Sequence, residues 1–163
     1  MKKTIFASFL LLLTAITSGC CTKPMPHIDD FKQVEFSQPK VPESQALICF
    51  YRIGKFTGSA VNYYVNDNVE PIGGLKSGSF FYYLANPGTH VFWSETEEKA
   101  SVQISAMPGA TYYIEGGVRM GMWIGIPSLT LVPEQIGKSA IQNLKYMELA
   151  KIPEKAYKAA NGQ

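Results

Sequence analysis

The stretch Ala100-Ser101-Val102-Gln103-Ile104-Ser105-Ala106 sets the fold class. Ala100, Val102, Ile104 and Ala106 alternate with Ser101, Gln103 and Ser105. Successive side chains of a strand point to opposite faces, so a two-residue period describes a strand with one buried and one wet face. The same texture extends in both directions. Upstream, strands are expected over residues 46–53, 59–66, 69–75, 79–85 and 89–96, and downstream over 110–118 and 128–132. Pro71 cannot donate to a ladder, which marks 69–75 as an edge strand. Short strands at regular spacing with turn signals between them predict a mainly β sandwich or barrel.

Two connections share one design: Asn86-Pro87-Gly88-Thr89 and Met107-Pro108-Gly109-Ala110. Proline presets the first central position of a type II turn and glycine supplies the positive φ of the second, so both read as hairpin starts. After Pro133 the pattern changes. Ala140, Ile141, Leu144 and Met147 fall near helical spacing, which predicts one helix within residues 134–150, stopped by Pro153, with residues 154–163 frayed.

The amino end has the parts of a secretory signal. Lys2 and Lys3 precede an apolar run from Ile5 to Ile16, followed by Thr17-Ser18-Gly19-Cys20. The run is shorter than the roughly 20 apolar residues of a spanning helix. Ser18, Gly19 and Cys20 resemble the bacterial lipobox, while Thr17 stands where Leu is usual. The expectation is a lipoprotein signal over residues 1–19 and a lipid-carrying Cys20. Cys21 is either a further acylation site or a free thiol. Thr22, rather than the Asp that signals inner-membrane retention, follows the two cysteines. The expected location is therefore the bacterial cell envelope, on the periplasmic leaflet of the outer membrane. Residues 20–45, with Pro24, Pro26, Pro39 and Pro42, read as an extended tether in which Phe31, Val34 and Phe36 dock locally. The sandwich occupies 46–132, and the C-terminal helix and tail 133–163.

Without Lys2 and Lys3 the 15 basic residues become 13, against 13 acidic ones, and the formal charge falls from +2 to zero. No basic stripe argues for nucleic acid. Cys49, inside Ala46-Leu47-Ile48-Cys49-Phe50-Tyr51, reads as a small core residue.

The stretch from Ala46 to Ala60 (ALICFYRIGKFTGSA) resembles the opening of a family of small bacterial lipoprotein domains, domain-of-unknown-function family 2846. Glu95-Thr96-Glu97-Glu98-Lys99-Ala100, Tyr112-Tyr113, Gly116-Gly117-Val118 and Pro127-Ser128-Leu129-Thr130-Leu131-Val132 follow in order. The resemblance covers about residues 46–137. It implies a small antiparallel β-sandwich similar to carboxypeptidase-regulatory-like modules. The family has no established activity, so it supplies no catalytic residues.

The chemistry-bearing residues are sparse. His27 and His90 are the two histidines, and only His90 lies in the domain. A Ser–His–Asp triad needs a histidine fixed by a third group, and a zinc site needs three or four ligands. No catalytic residue, metal ligand or cofactor is assigned, and His90 reads as a strand residue. Glu95, Glu97 and Glu98 read as a solvated hairpin. The glycine-rich run from Gly116 to Gly125 lacks the Lys-Ser/Thr of a phosphate loop. Its Arg119, Met120, Met122, Trp123 and Ile124 have two readings: a loop that contacts a partner or grazes a membrane, or a cap on the core. Exposure of Trp123 separates them. The pairs Tyr63-Tyr64, Tyr82-Tyr83 and Tyr112-Tyr113 each promise one core ring and one outer ring. The outer rings form either a ligand platform or ordinary cross-strand pairs.

These observations lead to a membrane-anchored, non-catalytic sandwich that binds another envelope component, protein or glycan. The alternatives are a cell-wall-acting enzyme and an accessory or immunity-type structural lipoprotein.

Overall fold

The computed structural model describes residues 24–161. The signal segment, Cys20 and Cys21 lie outside the described residues.

Strand β2, Ala46–Arg52, is buried at all seven positions, so it must be covered on both faces. Ala46, Ile48 and Phe50 point into the core between two sheets. Cys49 and Tyr51 point the other way, into a second cluster with Phe80 and Tyr113. Around β2 the chain lays down β1 (Phe31–Gln33), β3 (Tyr63–Asp67), β4 (Glu70–Leu75), β5 (Ser79–Ala85), β6 (Gly88–Glu95), β7 (Lys99–Ala106), β8 (Thr111–Arg119), β9 (Ile126–Val132) and β10 (Lys145–Leu149). The helices are α1 (Glu134–Ile141) and α2 (Glu154–Ala160).

The strands form a β-sandwich, with a six-stranded sheet in the order β1-β10-β5-β2-β8-β9 and a four-stranded sheet in the order β4-β3-β6-β7. Pairing is antiparallel except for β2 with β8 and β10 with β5, which run parallel. Rings lock the layers together. Phe50 stacks on Phe81 at 5.0 Å and meets Phe92 of the opposite sheet edge-on at 5.0 Å. Such pairs contribute about 0.5–1.5 kcal/mol each beyond area burial.

Strand β7 behaves as its alternation requires: Ile104 and Ala106 are buried while Ser101, Gln103 and Ser105 are exposed. Pro71 does lie on the edge strand β4. The two Pro-Gly connections differ from expectation. β5 and β6, and likewise β7 and β8, belong to different sheets, so both turns are corners between layers rather than hairpins. The cause is occupancy. Both edges of β5 are taken by β10 and β2, leaving the chain no choice but to change sheet.

The C-terminal region also differs. The predicted helix ends at Ile141, and Lys145–Leu149 is strand β10, inserted between β1 and β5. An open sheet edge captured a segment whose apolar spacing was ambiguous, and pairing overrode local periodicity. A second helix, α2, occupies the tail expected to fray, with Ala156 buried. The tether contributes more than expected: Phe31 is buried in β1, and Pro26 is buried ahead of it.

Helix α1 covers the outer face of β2 and β8. Its Gly137 sits on the Tyr113 ring so closely that a Cβ would come within 2.2 Å of Cγ. Alanine normally strengthens a helix over glycine by about 1 kcal/mol. Here Gly137→Ala is expected to destabilise instead, by about 1–3 kcal/mol of overpacking, read as a lower urea midpoint.

Candidate functional site

Three loops gather at the end of the sandwich where β8 and β9 join. The hairpin between β6 and β7 carries Thr96, Glu97 and Glu98. The β8–β9 loop carries Met120 to Gly125, and the segment after β2 carries Lys55, Phe56 and Gly58.

Glu97 organises the β8–β9 loop. Its Oε2 accepts from the Met122 amide at 2.8 Å, and its Oε1 accepts from Trp123 at 2.9 Å, from Ile124, and from Gly125 at 2.7 Å. Four consecutive backbone N–H groups thus converge on one carboxylate, with the geometry of an anion nest. Gly121 makes room for it, since a Cβ there would lie 2.3 Å from Oε1. The flanking residues add two more fastenings: the Thr96 hydroxyl donates to Gly125 O, and Arg119 pairs with Glu98 at 2.7 Å. These donors hold the Glu97 carboxyl down to about 2, with the Gly125 and Ile124 amides the largest causes and desolvation opposing.

The loop backbone is therefore tied down while its side chains stand in solvent. Met120 is 84% exposed, Met122 82% and Trp123 85%. Ile124 is also exposed. The reading in which these residues cap the core is overturned: Val61, Val118 and Ile126 close that end instead. Phe56, which composition alone did not single out, is 98% exposed. Its loop is held by buried Arg52, which donates to Val61 O at 2.5 Å and Gly58 O at 2.6 Å and lies 5.6 Å from the Tyr63 ring centre. Burial lowers the Arg52 pKa, and Tyr63 partly offsets that. A groove of about 330 Å³ runs beside the Phe56 loop, lined by Arg52, Lys55 and Thr57 and by Glu115, Arg119 and Thr130 of β8 and β9. Tyr51 donates to Glu115 at 3.2 Å.

The glutamates were expected as a solvated hairpin. Glu98 is exposed as expected, but Glu97 is a structural clamp. No short-range signal links residue 97 to amides some 25 positions later, so only the fold reveals the role.

The tyrosine platform does not form as an open face. Tyr63 and Tyr64 are both buried. Tyr82 and Tyr113 do turn away from the inter-sheet core, but α1 and the tether cover them. Phe36 lies 5.3 Å from Phe80, 5.8 Å from Tyr82 and 5.4 Å from Tyr146. These residues, with Tyr113 and Ile141, line a cleft of about 490 Å³. Cys49 is fully buried beneath it, and desolvation pushes its thiol up to about 12 despite a hydrogen bond with Tyr82.

His90 is better fixed than a lone strand histidine. Its Nδ1 lies 2.6 Å from Asp67 Oδ2, Nε2 lies 2.8 Å from Asn86 O, and Tyr83 donates to the same Asp67 oxygen at 3.1 Å. The ring also stacks on Phe92. Both ring nitrogens thus lie within hydrogen-bond distance of oxygens of the protein itself. Among the described residues no three His, Cys, Asp or Glu side chains are grouped to hold a metal.

No family model matches the chain, and no solved structure matches it. A protein of Haemophilus influenzae, described as an uncharacterized protein, is 29% identical over 147 residues, covering 87% of this chain and 84% of that one.

The Glu97 clamp is directly testable. A carboxylate whose pKa is depressed on folding contributes stability above its unfolded value near 4.5, and loses it as pH falls towards 2. The amide resonances of Met122 to Gly125 should shift together across that window. In Glu97→Gln the same amides should lose protection from exchange at neutral pH, while those of β2 keep theirs.

Proposed function

We propose that the chain is an envelope lipoprotein, anchored through Cys20 at the periplasmic face of the outer membrane, whose β-sandwich is a non-catalytic binding module. The observation that carries the binding role is the β8–β9 loop: four large apolar side chains exposed on a backbone fastened by Glu97. Exposed apolar groups of this size mark contact surfaces. Holding their backbone in advance removes part of the ordering cost of binding. Methionine adapts its shape to a partner, and tryptophan contributes the most contact area per side chain.

The non-catalytic reading is supported by the state of the titratable groups. His90 is consumed by Asp67 and Asn86, Cys49 is a buried protonated thiol, and Glu97 is saturated with backbone donors. The lipid anchor is supported by the signal-like amino end and by the way the chain joins the fold at Pro26, soon after Cys20.

Two outcomes are expected. Cys20→Ala should abolish palmitate labelling in cells and release the protein from the membrane fraction; full labelling of that variant would refute the anchor. The double variant Met122→Ala, Trp123→Ala should keep its folding stability to within about 0.5 kcal/mol, because these side chains bury little. The same variant should lose crosslinks formed by the wild type in intact envelopes.

A further inference from the structure

We infer that His90 is a proton-operated latch. As an imidazolium it ties the Asn86-Pro87-Gly88 corner, where the chain passes from one sheet to the other, to strand β3; on losing one of its two N–H protons it lets that corner go.

Both ring nitrogens meet atoms that only accept. Nδ1 lies 2.6 Å from Asp67 Oδ2, and Nε2 lies 2.8 Å from the Asn86 carbonyl oxygen. Asp67 is an acceptor on both of its oxygens. Oδ2 also accepts from the Tyr83 hydroxyl at 3.1 Å, and Oδ1 accepts from the Asn68 side-chain amide at 3.1 Å. Accepting on every side is the behaviour of the ionised carboxylate, and a carbonyl oxygen has no proton to give. A neutral imidazole has one N–H and one lone pair, so it satisfies only one of the two oxygens. The imidazolium donates to both.

The two contacts are unequal. The Asp67 bond is charge-assisted and joins side chains that are only 12% and 7% exposed. The Asn86 contact lies at the surface. A single remaining proton therefore stays on Nδ1, and the Nε2 lone pair is left facing the Asn86 oxygen. That pairing is repulsive at 2.8 Å, and an exposed carbonyl relieves it by turning to water.

The ring stacks on Phe92 at 5.6 Å, and Ile104 of β7 stands opposite His90 in the ladder. The titratable groups around it are Asp67 of β3, Tyr83 of β5 and Glu70 of β4, which acts on Tyr83. Burial, followed by Asp67, pushes the Tyr83 hydroxyl up to about 12, so Tyr83 stays a donor. Histidine is the side chain whose charge ordinarily changes between about pH 5 and 8.

The latch reaches past its own corner. Gln45 donates its side-chain amide to Asn86 Oδ1 at 3.2 Å, and its carbonyl accepts from the Gly109 amide at 2.8 Å. The two Pro-Gly corners thus meet on one residue, and release of Asn86 loosens the link between them.

The test is an NMR titration of the whole protein, solubilised in detergent, from about pH 5 to 8. His27 is the other histidine, and His27→Ala leaves the ring signals of His90 alone. At the acid end both ring nitrogens should carry protons. As pH rises Nε2 should lose its proton, and the amides of Gly88 and Thr89 and the side-chain amide of Gln45 should shift in the same step, while the amides of Ile48 and Phe50 stay in place. In His90→Gln the corner signals should no longer respond to pH. A ring with one N–H throughout, a ring that titrates without moving the corner, or a corner that still moves in His90→Gln would each overturn the inference. The first two outcomes are read on the native His90 and do not depend on that variant folding.

Discussion

Everything in this fold follows from a strand that water cannot touch. The seven residues of β2 are buried on both faces, and a strand in that position needs a layer above and a layer below. The four-stranded sheet supplies one, through Phe92, Val65 and Ile104. Helix α1 and the Tyr113–Phe80 cluster supply the other. The parallel alignment of β8 beside β2 then carries the chain to the end where Arg119 leaves the sheet. The exposed loop is where it is because β8 and β9 extend beyond the need to cover β2. Val118 and Ile126 are the last side chains of these strands to join the core, and Met120 to Ile124 lie past them.

The legible part of the fold was the part governed by nearest neighbours along the chain. Alternation in 100–106, the aromatic strands and the edge position of Pro71 are local consequences of pleat and hydrogen bonding, and they match the structure. Which sheet a strand joins is a different question. Pro87-Gly88 and Pro108-Gly109 turn the chain as local chemistry requires, but whether a turn closes a hairpin or crosses layers depends on which edges are already occupied. The segment Lys145–Leu149 is ambiguous for the same reason. Leu144 and Met147 suit a helix or a strand equally, and the open edge of β5 decided between them.

The candidate site was half legible. Met120, Met122 and Trp123 stood out by composition, and their exposure separates a contact surface from a core cap. Glu97 did not stand out, because a clamp on four amides is a property of two loops brought together by the sandwich. Fixing a residue's backbone costs about 1–2 kcal/mol, and four adjacent loop residues would not stay ordered on turn chemistry alone. The four hydrogen bonds that Glu97 accepts oppose that cost together, because one rigid carboxylate fixes all four amides at once. Placing the clamp in a neighbouring hairpin leaves the apolar side chains free to face outward.

The binding role requires one physical state: a loop that is rigid in its backbone and bare in its side chains. Backbone order parameters of Met122, Trp123, Ile124 and Gly125 in the free protein measure it directly. The account predicts values near 0.85, as in the strands of the sandwich. Values below about 0.6 at these four amides would contradict it, because the Glu97 carboxylate would then not be holding the loop.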